Sequence, residues 1–185
     1  NPKLREIFLE NNLIRVLEDG IFANNKELEI IRLDQNKLGA PSKLPSADTL
    51  SANVFAGLGN LTELNLCENE YQYIHKDALN DCSRLNVVDL GLNFLATIPR
   101  ELFQNTRMLT RLYLDDQNIQ QKEASVSIKP GTFDSLSNLE HLSLQHNRIT
   151  ELDEGLFQAA VLLNVVGLEG NYLDRLPDGL FSNQS

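Results

Sequence analysis

Asp115, His141 and Ser143 supply the three side-chain types of a hydrolytic relay. Such a relay needs the imidazole between carboxylate and hydroxyl, so that it can take the serine proton while the acid holds its other nitrogen. On the repeat frame set out below Ser143 is the middle group, and that order forbids the relay. No nucleophile elbow, glycine-rich phosphate loop or metal-ligand spacing occurs elsewhere. The two cysteines, Cys67 and Cys82, fall on opposite sides of one repeat, too far apart for a disulfide or a shared metal ion. The sequence therefore predicts no catalytic, cofactor or metal-binding residue, and its chemistry has to be that of a surface.

Charge is what such a surface would use. The chain carries 26 acids against 16 lysines and arginines, a net charge of −10. A polyanion binds through Lys and Arg, so this balance disfavours nucleic acid and favours a basic protein or peptide. No apolar run approaches the roughly 18 residues needed to cross a bilayer, so this segment is not expected to insert into a membrane.

The elements that must position these residues follow from a leucine pattern. Leu4, Leu28, Leu61, Leu85, Leu109, Leu139 and Leu163 each open the string L-x-x-[LIV]-x-L-x-x-N-x-[LIVY], as in Leu85, Val88, Leu90, Asn93 and Leu95. The base step is 24 residues, and the second and fifth repeats are longer by nine and six. A fixed period of this size marks a solenoid. Apolar residues at relative positions 1, 4 and 6 do not fit a helix, but they fit a short strand and its adjoining turn, stacked in parallel on the next coil. Next comes an amide column: Asn12, Asn36, Asn69, Asn93, Gln117, Asn147 and Asn171. A carboxamide can serve both the donors and the acceptors that a turning backbone leaves open, so the column is structural. Across the coil a second column, Phe22, Phe55, Leu79, Phe103, Phe133, Phe157 and Phe181, is read as a core spine. Cys82 stands where Leu58, Leu136 and Ala160 stand in other repeats and is read as a small core residue.

This combination resembles the typical 24-residue subclass of leucine-rich repeats, found in Toll-like receptor ectodomains, small leucine-rich proteoglycans, lamprey variable lymphocyte receptors and adhesion receptors. The resemblance runs from Leu4 to Phe181. It implies a horseshoe solenoid with a parallel concave sheet of about seven short strands, an irregular convex side and two loop insertions. Residues 1–185 form a single such domain. With a first repeat at residue 4 and a last that breaks off after Phe181, the chain reads as an internal segment of a longer array without caps. The resemblance implies an extracellular, non-enzymatic ligand-binding ectodomain of the Toll-like type, with a secreted matrix or adhesion module and an intracellular scaffold as alternatives. The pattern specifies no oligomeric state.

Outward side chains at positions 3, 5, 7 and 8 of each repeat map the concave face. Of these 28 sites nine are acids and two are arginines. An even spread of acid over the chain would put about four there. The partner-binding candidates on this map are Phe8, Arg32, Asp34, Asp89, Arg111, Tyr113, Asp115, Asp116, His141 and His146, with Phe8 and Tyr113 as aromatic anchors. Asp116 and His146 share a column and are expected to form a surface ion pair. The acids could equally be the charge a solvated face needs. The two insertions, carrying Lys43 and Lys122, enter at the same point of the coil; they read either as tolerated surface loops, since long insertions cost little, or as paired loops forming a ligand ledge. Asn60 and Asn183 head glycosylation sequons, Asn60-Leu61-Thr62 and Asn183-Gln184-Ser185, which suit a secreted protein.

Overall fold

The computed structural model describes residues 1–40, 48–117 and 125–184. The leucine frame becomes one seven-stranded parallel sheet. Its strands are β1 (Glu6–Phe8), β2 (Ile30–Arg32), β4 (Glu63–Asn65), β6 (Val87–Asp89), β8 (Arg111–Tyr113), β10 (His141–Ser143) and β11 (Val165–Gly167), hydrogen-bonded in that order. Each strand begins two residues after its opening leucine, and residues in the same repeat position pair directly, as in Glu63↔Val87 and Asn65↔Asp89. Because side chains alternate along a strand, this register fixes Ile31, Leu64, Val88, Leu112 and Leu142 as an inward row, all fully buried.

Smaller pairs flank the sheet: β3 (Thr49–Leu50) with β5 (Tyr73–Ile74), and β7 (Thr97–Ile98) with β9 (Ser127–Ile128). β3 and β9 re-enter the coil after the two insertions, and each resumes parallel pairing with a neighbouring coil. Among the described residues no helix is long and apolar enough to cross a membrane.

The amide column lies inside and ties each coil to its predecessor. Asn93 Nδ2 donates to the carbonyls of Leu66, Leu90 and Gly91, while its Oδ1 accepts from the Tyr71 N–H. Gln117 does the same with one more methylene, accepting from Leu95 N–H and donating to Leu90 O of the previous coil. Asn12, with no described coil before it, is exposed and reaches only carbonyls of its own coil. Opposite the sheet the rings pack in series: Phe22 stacks on Phe55 at 6.0 Å, Phe133 on Phe157 at 6.3 Å and Phe157 on Phe181 at 5.6 Å, while Phe103 meets Phe133 at 6.4 Å with its ring tilted by 31°. Leu79 interrupts the stack between Phe55 and Phe103 and is itself buried. Cys82 is wholly buried beneath the Phe55 carbonyl, and both cysteines are free.

Candidate functional site

The strand residues that point away from the core line the concave face, and the side chains there interact across coils. Arg32 at the end of β2 ion-pairs with Glu63 of the next coil at 2.8 Å, and its guanidinium lies 5.7 Å from the centre of the Phe8 ring. Phe8 is half exposed on its outer side. Gln35 bonds Glu68 at 2.8 Å, and Gln145 bonds Glu169 at 3.0 Å. Tyr113 and His141, on adjacent strands, pack ring against ring at 5.2 Å. Phe8 and Tyr113, the two residues expected as aromatic anchors, are thus engaged with their neighbours, Phe8 under a cation and Tyr113 beside an imidazole.

The centre of the face is acidic and unneutralised. Among the described residues no lysine or arginine pairs with Asp34, Asp89, Asp115 or Asp116. Arg111, at the start of β8, is exposed and forms no ion pair with another described residue. Asp89 is mostly buried, and that burial pushes its carboxyl up to about 6. The Gly91 N–H, 2.9 Å from Asp89 Oδ1, pulls the other way, while Asp115 and Asp34 add to the rise. Asn65 occupies the same position one coil earlier and makes the same bond to the Cys67 N–H at 2.9 Å. Cys67, between these acids, has its thiol pushed up to about 12, by burial first and by Asp89 and Asp115 next.

The hydrolase triad has no geometric basis. Ser143 is buried, with its hydroxyl directed to Asp115 Oδ1 at 2.8 Å and to the Gln145 side-chain oxygen. His141 faces Tyr113, so no imidazole stands between acid and serine.

One expectation is corrected. Asp116 and His146 form no ion pair. The His146 ring instead lies over Gly170 of the next coil, where a Cβ would come within 2.1 Å of its Nδ1, because the bare glycine offers the ring a seat.

A feature the sequence reading missed links these two positions. Asn11, Gln35, Glu68, Leu92, Asp116 and His146 all have φ between 51° and 57°, and Gly170 has 69°. The eighth place of every repeat is therefore left-handed, which turns the chain off the strand. The asparagine, aspartate, histidine and glycine in that column were the available signal.

Lys43 and Lys122 lie outside the described residues. The root of the first insertion is pinned, since a Cβ on Gly39 (φ 86°) would lie 2.6 Å from the Glu70 carbonyl and the Tyr71 Cα. Asn60 is held on the flank: its Nδ2 donates to Lys26 O at 3.1 Å and its Oδ1 accepts from Arg84 at 2.9 Å. Asn138, one place before its own opening leucine and outside any sequon, bonds the preceding coil in the same way, to Arg107 O at 2.8 Å. Asn183 donates to Gln158 O at 3.3 Å.

The sequence model of the family described as leucine rich repeat matches residues 59–119 and 123–173, more than half of the chain. The chain belongs to the leucine-rich repeat family. Among curated relatives it is 30% identical to mouse podocan over 196 residues, covering 96% of this chain and 31% of podocan. It is 27% identical to chicken lumican over 179 residues, covering 96% of this chain and 47% of lumican. The chain thus spans between about a third and a half of the length of these relatives. They are extracellular matrix proteins, and this leucine-rich repeat segment is extracellular. Among solved structures, TLR13 in its complex with ssRNA13 superposes with a TM-score of 0.79 at 24% identity, over 95% of this chain and 23% of TLR13. Human 5T4 gives 0.69 at 20% identity, over 88% of this chain and 57% of 5T4. At these identities the structures speak for the fold alone.

Proposed function

We propose that this segment is a non-enzymatic protein-recognition module of a matrix or adhesion protein, and that its partner lies against the concave face. The observation that carries this reading is the unneutralised acid at the centre of that face. Four aspartates stand there without a basic ion-pair partner among the described residues, although Arg32 and Lys37 each pair with a glutamate nearby. Acids left open in this way raise the local concentration of a basic partner and speed its encounter. The same sign opposes a phosphate backbone, so a nucleic-acid ligand, such as the one TLR13 was solved with, does not suit this chain. The matrix reading is preferred to a Toll-like receptor because sequence similarity runs to podocan and lumican, whereas the likeness to TLR13 is one of fold.

The test is surface plasmon resonance of the chain over immobilised extracellular-matrix protein and, in parallel, over soluble secreted protein of matched charge. Binding to the matrix surface that weakens as salt is raised supports the proposal. Binding to the soluble set alone, or salt-insensitive binding to both, overturns it.

A further inference from the structure

The two edges of the concave sheet differ in chemistry. The third-position column, at the start of the strands, mixes Glu6 and Glu63 with Arg111 and His141. The seventh and eighth positions, just past the strands, hold six acids and no lysine or arginine over the seven coils. Only the fourth coil has two residues there that are neither charged nor polar: Gly91 and Leu92.

Leu92 does little for the fold. It is 44% exposed, so it buries only part of its side chain. Its φ of 51° is a conformation that asparagine or glycine adopts at lower cost. Beside it Gly91 is buried and bare, which lets carboxylate oxygens of both Asp89 and Asp115 close in over it, to within 3.3 Å of where a Cβ would stand. Glu68 and Asp116 hold the equivalent position in the coils on either side, about 4.8 Å away in the stack. An apolar knob is thus set between acids, with the Asp89 and Asp115 carboxylates packed over the glycine at its foot.

Resting on the concave-face reading above, we infer that this edge of the sheet docks a protein segment in which one apolar side chain seats on Leu92 and is flanked on both sides by lysines or arginines. The flanking cations reach Glu68 and Asp34 on one side and Asp115 and Asp116 on the other. Charge complementarity sets the sign of the partner. Leu92 sets where its apolar residue must fall.

Two synthetic peptides of identical composition test this against the full chain by fluorescence anisotropy at low salt. One places a single leucine between two pairs of lysines, and the other carries the same lysines together with the leucine at its end. The centred peptide should bind at least about fivefold tighter. Leu92→Asn, whose folding is checked by its melt, should abolish that preference and leave the terminal-leucine peptide unchanged. Replacing Asp115 and Asp116 by Asn should weaken both peptides roughly tenfold and flatten their salt dependence. Equal affinity of the two peptides, or a preference that survives in Leu92→Asn, overturns the inference. If matrix protein is then still captured through the concave face, the partner's chemistry was wrong and the concave reading stands. If that capture is lost as well, both fall.

Discussion

Asp89→Asn should make the protein more stable at neutral pH. In the folded chain the carboxyl titrates near 6, against about 3.9 in an unfolded chain. Because the folded value is the raised one, the native state holds the proton more tightly than the unfolded state. Below about pH 4 both states are protonated and the residue is neutral to stability. As pH rises from 4 to 6 the unfolded chain ionises freely while the folded one resists, and above 6 the full penalty is present. Two units at about 1.4 kcal/mol each give an upper figure of about 3 kcal/mol, and structural relaxation brings the expected gain to about 1–3 kcal/mol. The substitution keeps the local geometry, because Asn65 already shows an asparagine oxygen accepting the equivalent N–H at 2.9 Å. Urea melts of wild type and variant across pH 4 to 8 check this as a difference, which cancels the contributions of Asp19 and Glu169. Those two act in the opposite sense at lower pH, with Asp19 held down by Ser51 and Asn53 and Glu169 by its own backbone N–H and Gln145. A difference that grows from pH 4 to 6 and then levels is the predicted result. Destabilisation at pH 7, or a gain independent of pH, would refute the reasoning. An acid that costs stability where asparagine would serve is the kind of residue that function retains.

Other perturbations test the scaffold by the same melts. Asn93→Ala leaves the buried Tyr71 N–H without its partner and removes one of the bonds accepted by each of the Leu66, Leu90 and Gly91 carbonyls, and should cost about 1–3 kcal/mol, whereas exposed Glu6→Ala should change stability by less than about 0.5 kcal/mol. Phe133→Ala removes the ring between Phe103 and Phe157 and should cost about 3–5 kcal/mol. Gly39→Ala drives a methyl into the Glu70 backbone at a positive φ and should cost more than about 1 kcal/mol; a neutral result would mean that the insertion root is not pinned.

The scaffold was legible in the sequence because its determinants repeat. A leucine or an asparagine recurring at one phase identifies itself as core seven times over, and the Asn93 and Phe133 environments follow from their columns. The site was legible only in part. Which residues face outward followed from strand alternation, and so did the acid excess. The left-handed eighth position did not, because Leu92, Gln35 and Glu68 have no preference for it and a turn imposes it on them. The contacts among long side chains also escaped, since column membership says who is adjacent but not which partner wins. Arg32 turns to Glu63 and also covers Phe8, while His146 passes over Asp116 for the bare backbone of Gly170. The burial of Asp89 had no sequence signal beyond the glycine two residues on.

The central claim is that the concave face carries the partner, and site-directed photo-cross-linking tests it most directly. A cross-linking side chain replaces Tyr113 on the concave face in one variant. In a second it replaces Glu101, exposed on the turn that carries the spine residue Phe103. Both are irradiated with solubilised extracellular-matrix protein. The predicted result is a protein adduct from position 113 that salt suppresses, with none from position 101. Adducts from position 101 alone, or equal adducts from both, would contradict it.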